Sequence, residues 1–307
     1  MRNIGAILAA AGPLIEREPM RRHTTLLVGG VARWLVQPTS EERLSEMLAT
    51  LPATLPILPL GRGSNMLLDD SGFDGVVIDL SGLDFLQQQG ERIRAGAGTR
   101  MGKIAQHCGN AGLTGVEFMA TVPGDLGGGV VMNAGAHGQE LSDTLRSIVI
   151  VHRDGRREEI ESSRLEMSYR HTQLPLGAIV VAAELELARG NSGEIREAMR
   201  AMRARRGATQ PLTLPNCGSV FKNPPGDHAG RLIEAVGLKG HAIGGARISE
   251  MHANFIVNGG NASSRDIWAL IELAQAKVEA EFGIRLEPEV KRIANPGAPV
   301  VGKETEA

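Results

Sequence analysis

Glycine is the residue that most restricts what this chain can fold into. It occurs 39 times in 307 residues, and the occurrences are clustered. Gly61-Arg62-Gly63-Ser64-Asn65 and Gly96-Ala97-Gly98-Thr99 each follow a run that reads as a strand, and Pro123-Gly124-Asp125-Leu126-Gly127-Gly128-Gly129 is denser still. Without a Cβ, successive backbone N–H groups can close around an anion such as a pyrophosphate. Taken singly, each segment reads as a tight turn between strands. Taken together, the three favour a bound nucleotide cofactor. None is a dinucleotide fingerprint of the βαβ kind. Gly61-x-Gly63-x-x-Met66 and Gly96-x-Gly98-x-x-Met101 lack the third glycine, and no Walker lysine follows any of them.

The composition narrows the field. A length of 307 residues suggests about two domains. With 42% hydrophobic and 22% charged residues the chain is of the ordinary globular kind. Aromatic residues make up 3% and the net charge is -2, so neither base stacking nor electrostatic attraction to nucleic acid or a membrane surface is expected. No apolar run approaches a membrane-spanning length. Ile4 to Ala11 faintly imitates a signal peptide, but the charged run Glu16 to Arg22 behind it reads as the continuation of an amphipathic N-terminal helix. Two cysteines, Cys108 and Cys217, form no disulfide framework and fit a reducing cytoplasm. His23, His137, His228 and His252 have no metal-ligand spacing, so no metal is expected.

Along the chain, Thr39-Ser40-Glu41-Glu42 is a capping box opening a short helix. Strands are expected at 57–60, 76–80 and 93–97, and Thr99 is placed to cap a helix from Met101 to Cys108. A hairpin surrounds Asp154-Gly155, and a strand runs from Ile179 to Leu187. The helix from Gly193 to Arg206 stops at Gly207, and its basic end (Arg203, Arg205, Arg206) complements the helix dipole. A domain boundary falls there. The second unit holds a helix from His228 to Val236, a strand from Asn254 to Asn258, and a long helix opened by Ser263-Ser264-Arg265-Asp266 and ended by Gly283. The strand Ile284 to Val290 puts Glu287 and Glu289 on one face, with Pro288 marking an edge.

Chemistry-bearing side chains concentrate in Pro215-Asn216-Cys217-Gly218-Ser219-Val220-Phe221-Lys222-Asn223-Pro224. Two prolines hold this stretch out of helical geometry. Its plain reading is a hydrogen-bonded turn, in which Cys217 is a packed thiol. Its functional reading makes Ser219 the reactive group. Arg170, after Tyr169, reads equally as an ordinary surface arginine.

Read in order, eight segments closely resemble the UDP-N-acetylenolpyruvoylglucosamine reductases, over about Arg22 to Ile293. They are His-Thr-Thr-x-x-x-Gly-Gly (23–30), Gly-Arg-Gly-Ser-Asn (61–65), Val-Pro-Gly-Asp-Leu-Gly-Gly (122–128) and Met-Asn-Ala-Gly-Ala-His-Gly (132–138). The others are Ser-Tyr-Arg (168–170), Gly-Ser-Val-Phe-Lys-Asn-Pro (218–224), Ser-Glu-Met-His-Ala-Asn-Phe (249–255) and Leu-Glu-Pro-Glu-Val (286–290). Arg170 and Thr172 run directly into the Ile179 strand, as in the shorter subgroup without an inserted tyrosine loop. Gly129 and Val131 depart from the usual alanine and tyrosine, and Thr172 from serine.

The resemblance implies an α+β chain. An FAD-binding fold of the vanillyl-alcohol-oxidase type would occupy residues 21–190, as subdomains of about 21–85 and 86–190. A substrate-binding α+β domain would occupy 207–294, flanked by a helical segment at 1–20 and a flexible tail at 295–307. It implies non-covalent FAD, NADPH as hydride donor, and UDP-N-acetylglucosamine enolpyruvate as substrate in cytoplasmic peptidoglycan synthesis. A monomer without nucleic-acid or membrane partners is expected.

By the same resemblance, Ser219 protonates the substrate carbon while Arg170 and Glu289 stabilise the transient anion. Motif position alone selects Glu289 over Glu287. The expected cofactor set is Gly61, Arg62, Gly63, Ser64, Asn65, Thr121, Pro123, Gly124, Gly127, Gly128, Asn133 and Gly135. Lys222, Asn223, Lys239 and His252 are expected at the sugar nucleotide, with Arg247 as a weaker candidate. Two other readings compete: an FAD-dependent oxidase tethering its flavin through His23 or His137, and a non-catalytic nucleotide-binding module.

Overall fold

The computed structural model describes residues 3–296. Strands Leu14–Pro19, Val31–Val36, Phe73–Asp79 and Ile57–Leu60 form a four-stranded sheet in that spatial order. The first pair is antiparallel and the other two are parallel. Helix α1 (Ile4–Ala11) sets Leu8 and Ala11 against Leu44, Met47 and Leu48 of α2 (Glu41–Thr50), the crossover that the parallel strands need. Ser40 caps α2 by accepting from Arg43 N, so the cap sits one residue later than the Thr39 box implies.

A five-stranded antiparallel sheet follows, in the order Arg157–Glu161, Leu145–Val151, Ile179–Glu186, Arg92–Gly96, Leu86–Gln89. Successive side chains along a strand point to opposite faces. Ile148 and Ile150 therefore enter a core shared with α3 (Met101–Ala111), α4 (Leu126–Val131) and α5 (Ser192–Thr209), while Val149 and Val151 pack with Val76, Ile78 and Leu44. Covering on both faces explains why Ile179-Val180-Val181-Ala182-Ala183 is uninterruptedly apolar.

The third unit packs α6 (Ala229–Ala235) and α7 (Ser264–Phe282) on a three-stranded sheet of Ala242–Ile243, Ala246–Ile248 and Ile256–Asn258. Its core also takes in Leu26, Val28 and Leu67 from the first unit. Asn258 Nδ2 donates to Leu26 O at 2.9 Å, and Asp70 accepts from Ser264 N at 2.9 Å and Arg265 N at 3.3 Å at the start of α7. The chain then returns: Lys291–Ile293 pairs in parallel with Met66–Leu68.

Several expectations are corrected. The helical segment expected over 1–20 is helical only to Ala11. Gly12 and Pro13 end it, and Leu14–Pro19 pairs with Val31–Val36 instead. Thr99 does not cap α3, because its hydroxyl donates to Asp84 Oδ1 at 2.9 Å and Phe85 O at 2.8 Å. Helix α5 runs through Gly207 to Thr209, and Pro211 just beyond is the stop. The strand expected over 284–290 is irregular apart from a bridge between Phe221 and Pro288, and the strand proper is Lys291–Ile293. Of the tail, Asn295 accepts from Asp74 N at 3.0 Å and donates to Ser71 O at 3.1 Å, while 297–307 lie outside the described residues.

Asp70 satisfies two N–H groups that the first turn of α7 cannot bond internally. Asp70→Ala is expected to cost about 1 kcal/mol, the worth of a helix-end contact. It should appear as a lower urea midpoint at unchanged slope. An unchanged midpoint would show that this link between the units is not stabilising.

Candidate active site

A cavity of about 550 Å³ opens where the three units meet, within the range of small-molecule sites. Its walls are the loops at 61–65 and 121–129, residues 134–137, the end of α5, and the stretch 217–219 with Glu289 and Lys291.

The two glycine loops are built for backbone approach. Gly63 has φ 60°, and a side chain there would begin 2.3 Å from His23 O. Gly124 has φ 117°. The backbone N–H groups of Arg62, Gly63, Ser64, Asn65, Gly124 and Asp125 make no hydrogen bond to any described residue. Unpaired N–H groups on loops lining a cavity suit an anion of the diphosphate kind. The residues present therefore fit a dinucleotide cofactor. Gly129 has a separate setting: a side chain there would begin 2.8 Å from Met101 Sδ, so an alanine would require the Met101 side chain to shift.

Every expected cofactor residue lines the cavity except Asn133. Asn133 is fully buried, and its amide donates to Ser168 O at 3.2 Å and accepts from Ser142 N at 3.0 Å. It braces the hairpin of Met167–Ser168 and His171–Thr172, whose two-residue turn is Tyr169-Arg170. Thr172 adds a second brace by donating to Val130 O at 2.6 Å. Arg170, held at φ 57°, reaches Glu289 Oε1 at 3.0 Å through Nε and Gly135 O at 2.9 Å through Nη2.

Glu289 is positioned by its backbone. Its N–H donates to Val220 O at 2.7 Å, and its carbonyl accepts from Asn65 Nδ2 at 3.1 Å. Burial pushes its carboxyl above the ordinary range, with Arg170, then Lys222 and Lys291, pulling the other way. Glu287 goes elsewhere: it pairs with Lys222 at 2.6 Å and stays largely exposed. The structure thus separates two carboxylates that residue spacing could not.

Ser219 lines the same cavity, and its hydroxyl makes no hydrogen bond to any described residue. Both flanks are fixed. Gly218 N donates to Asn216 Oδ1 at 2.9 Å, and Val220 N donates to Asn254 O at 2.9 Å. The Cys217 thiol is buried and pushed up to about 12, chiefly by burial, so it is not a nucleophile near neutral pH.

None of the four expected substrate residues lines this cavity. Asn223 Oδ1 accepts from Ala229 N at 3.1 Å at the start of α6. Lys239 pairs with Glu234 at 2.9 Å, and half-buried His252 packs edge-on to Phe255. Arg247 stands exposed on the small sheet. Of the possible flavin tethers, His137 lines the cavity, whereas His23 is held by Glu18 at 3.0 Å and does not. Among the described residues, no group of three metal-ligating side chains occurs.

Residue reasoning missed Arg205 and Arg206. They line the cavity from the end of α5, and Arg206 also donates to Thr121 O and Gln210. The available signal was their position just ahead of the 215–224 stretch.

The UDP-N-acetylenolpyruvoylglucosamine reductase C-terminal domain model matches residues 210–293, and the FAD binding domain model matches 32–161. UDP-N-acetylenolpyruvoylglucosamine reductase 2 of Symbiobacterium thermophilum is 42% identical over 290 residues, 93% of this chain and 94% of that protein. The Methylococcus capsulatus reductase is 44% identical over 282 residues, 91% of this chain and 93% of that one. The crystal structure of the Thermus caldophilus reductase (MurB) superposes with a TM-score of 0.79 at 35% identity, covering 91% of this chain and 98% of that one. With that likeness running through both the FAD-binding and the C-terminal units, the chain belongs to the UDP-N-acetylenolpyruvoylglucosamine reductases.

Proposed function

We propose that Ser219, Arg170 and Glu289 carry the chemistry of this enzyme, with the substrate's enolpyruvyl group held among them. The reaction is reduction of the enolpyruvyl ether of UDP-N-acetylglucosamine to UDP-N-acetylmuramate, a step of peptidoglycan precursor synthesis. FAD, when bound, would supply the two-electron chemistry that links NADPH to the enolpyruvyl double bond. The glycine loops, with Arg62, Ser64, Asn65 and Thr121, hold this cofactor without a covalent bond.

A hydride added at the vinyl carbon leaves an electron pair on the carbon that bears the ether oxygen, spread into the neighbouring carboxylate. That charge calls for donors already aimed at it. Arg170 supplies a fixed cation. Glu289, whose carboxyl burial pushes above the ordinary range, supplies a neutral donor beside it in its protonated form. Ser219 Oγ then gives its proton to the carbon and recovers one from solvent, which completes addition of one hydride and one proton across the double bond. The observation that carries this reading is the 3.0 Å Arg170–Glu289 pair at the wall that also presents the uncommitted Ser219 hydroxyl.

Lys222, Asn223, Lys239 and His252 remain proposed contacts of the sugar nucleotide, made beyond the cavity, which none of them lines. The enzyme works as a monomer in the cytoplasm, where reducing conditions suit its two buried free thiols.

Ser219→Ala should leave reduction of the flavin by NADPH intact in stopped-flow absorbance while lowering turnover about 10²–10⁴-fold, the usual worth of a general acid. Undiminished turnover would remove Ser219 from the chemistry. Glu289 acts in its protonated form and its pKa is raised, so turnover should be highest at low pH and fall as pH climbs through that raised value. Glu289→Gln should be slower and should lose this alkaline limb; persistence of the limb would assign it to another group. Acid precipitation should leave the yellow flavin in the supernatant, and colour in the pellet would point to a tether through His137.

A further inference from the structure

Asp125 has no part in the chemistry above, yet it lies inside the cradle. It is 4% exposed and lines the cavity. Its Oδ2 is 3.1 Å from the point where a side chain on Gly61 would begin, so the carboxyl is wedged between the two loops with unpaired N–H groups. It stands at the position ahead of α4 but does not cap that helix. The side chain makes no hydrogen bond to any described residue, and its carboxyl oxygens keep some exposure at the cavity. The charged groups facing it are Arg62 on the 61–65 loop, Arg100 ahead of α3, Asp79 at the end of its strand, and Asp84 in the following turn. Two cations are offset by two anions.

We propose that Asp125 binds the cofactor's diphosphate as a neutral carboxyl, donating its proton to a phosphate oxygen, so that cofactor retention weakens as pH rises. The inference rests on the assignment of the two glycine loops to the cofactor. Burial pushes Asp125 up to about 6, with Arg62 and Arg100 opposing, so near neutral pH it is poised between a donor and a repelling anion. The sign follows from linkage. A bound anion favours the protonated form, so the group's pKa is higher in the complex than in the free protein. Affinity is then full below the free value and declines as pH rises above it, until the complex itself deprotonates.

The test is FAD release from the diluted holoenzyme, followed by flavin fluorescence between pH 5.5 and 8.5. The wild-type Kd should rise about tenfold or more from pH 6 to pH 8. Asp125→Asn keeps the shape and a neutral donor, so its Kd should stay near the wild-type low-pH value and be about tenfold tighter at pH 8. A variant whose Kd tracks the wild type at every pH, or is weaker at low pH, overturns the proposal. Effects of pH that do not involve Asp125 act equally on both proteins and cancel in the ratio. Gly128→Val separates the two readings. A side chain there meets nothing within 4 Å, so Val enters open space at the cavity wall without a clash. It should weaken FAD binding at every pH, and an unchanged Kd would bring down the loop assignment instead.

Discussion

The parallel pairing of Lys291–Ile293 with Met66–Leu68 is the contact on which the site depends. It carries the end of the C-terminal unit back onto the first, immediately beyond the 61–65 loop. From it runs a short relay of backbone-anchored bonds. Lys291 N donates to Asn65 O at 2.9 Å, Asn65 Nδ2 donates to Glu289 O at 3.1 Å, and Glu289 N donates to Val220 O at 2.7 Å. The cofactor loop, Glu289 and the serine stretch are thereby fixed to one another through main-chain groups. Contacts between segments more than 200 residues apart need loop closure, but that cost grows only with the logarithm of length. The shared core of Leu26, Val28 and Leu67 with Val220, Phe221 and Leu286 supplies apolar burial to offset it.

This seam makes one cavity serve two electrostatic purposes. Glu289, half-buried, and Asp125, buried, are both carboxyls pushed upward by desolvation, yet their neighbours differ. Glu289 lies against a single guanidinium, that of Arg170, at 3.0 Å. Asp125 is drawn down by Arg62 and Arg100 and pushed up by Asp79 and Asp84, and it has no hydrogen-bond partner to hold its charge. Desolvation thus sets the direction in both places, and the nearest charges decide what each group can do.

The glycine loops were legible because their requirement is local: position 63 excludes a side chain by its φ and by the closeness of His23 O. The alternating apolar strands and the box at Ser263 were legible for the same reason, since period and capping are written into neighbouring residues. The convergence of Arg170, Ser219 and Glu289 on one cavity was not, because they are joined by a hairpin turn, a bridge and a returning strand that no spacing reveals. Motif order suggested it. The choice of Glu289 over Glu287 became physical only when the segment expected as a strand proved irregular. Asp125 escaped notice because burial between two loops is a property of the fold. The end of α5 was misplaced because a single glycine, Gly207, is tolerated inside a helix, whereas Pro211 enforces the stop.

The conformation of Arg170 bears on how the site works. A non-glycine residue in the left-handed region costs about 1–2 kcal/mol, and Arg170 sits there at φ 57°. Asn133 and Thr172 hold the hairpin in place from α4 and the loop after it, so the strain persists with no ligand contact required. The guanidinium is therefore aimed at Glu289 and the cavity by the scaffold, and little reorganisation remains to be done as charge develops. It also accounts for the fully buried Asn133 within an otherwise cavity-lining motif. Its neighbours can approach the cofactor from the inner wall, while Asn133 braces from behind the turn that carries the one cation paired with Glu289.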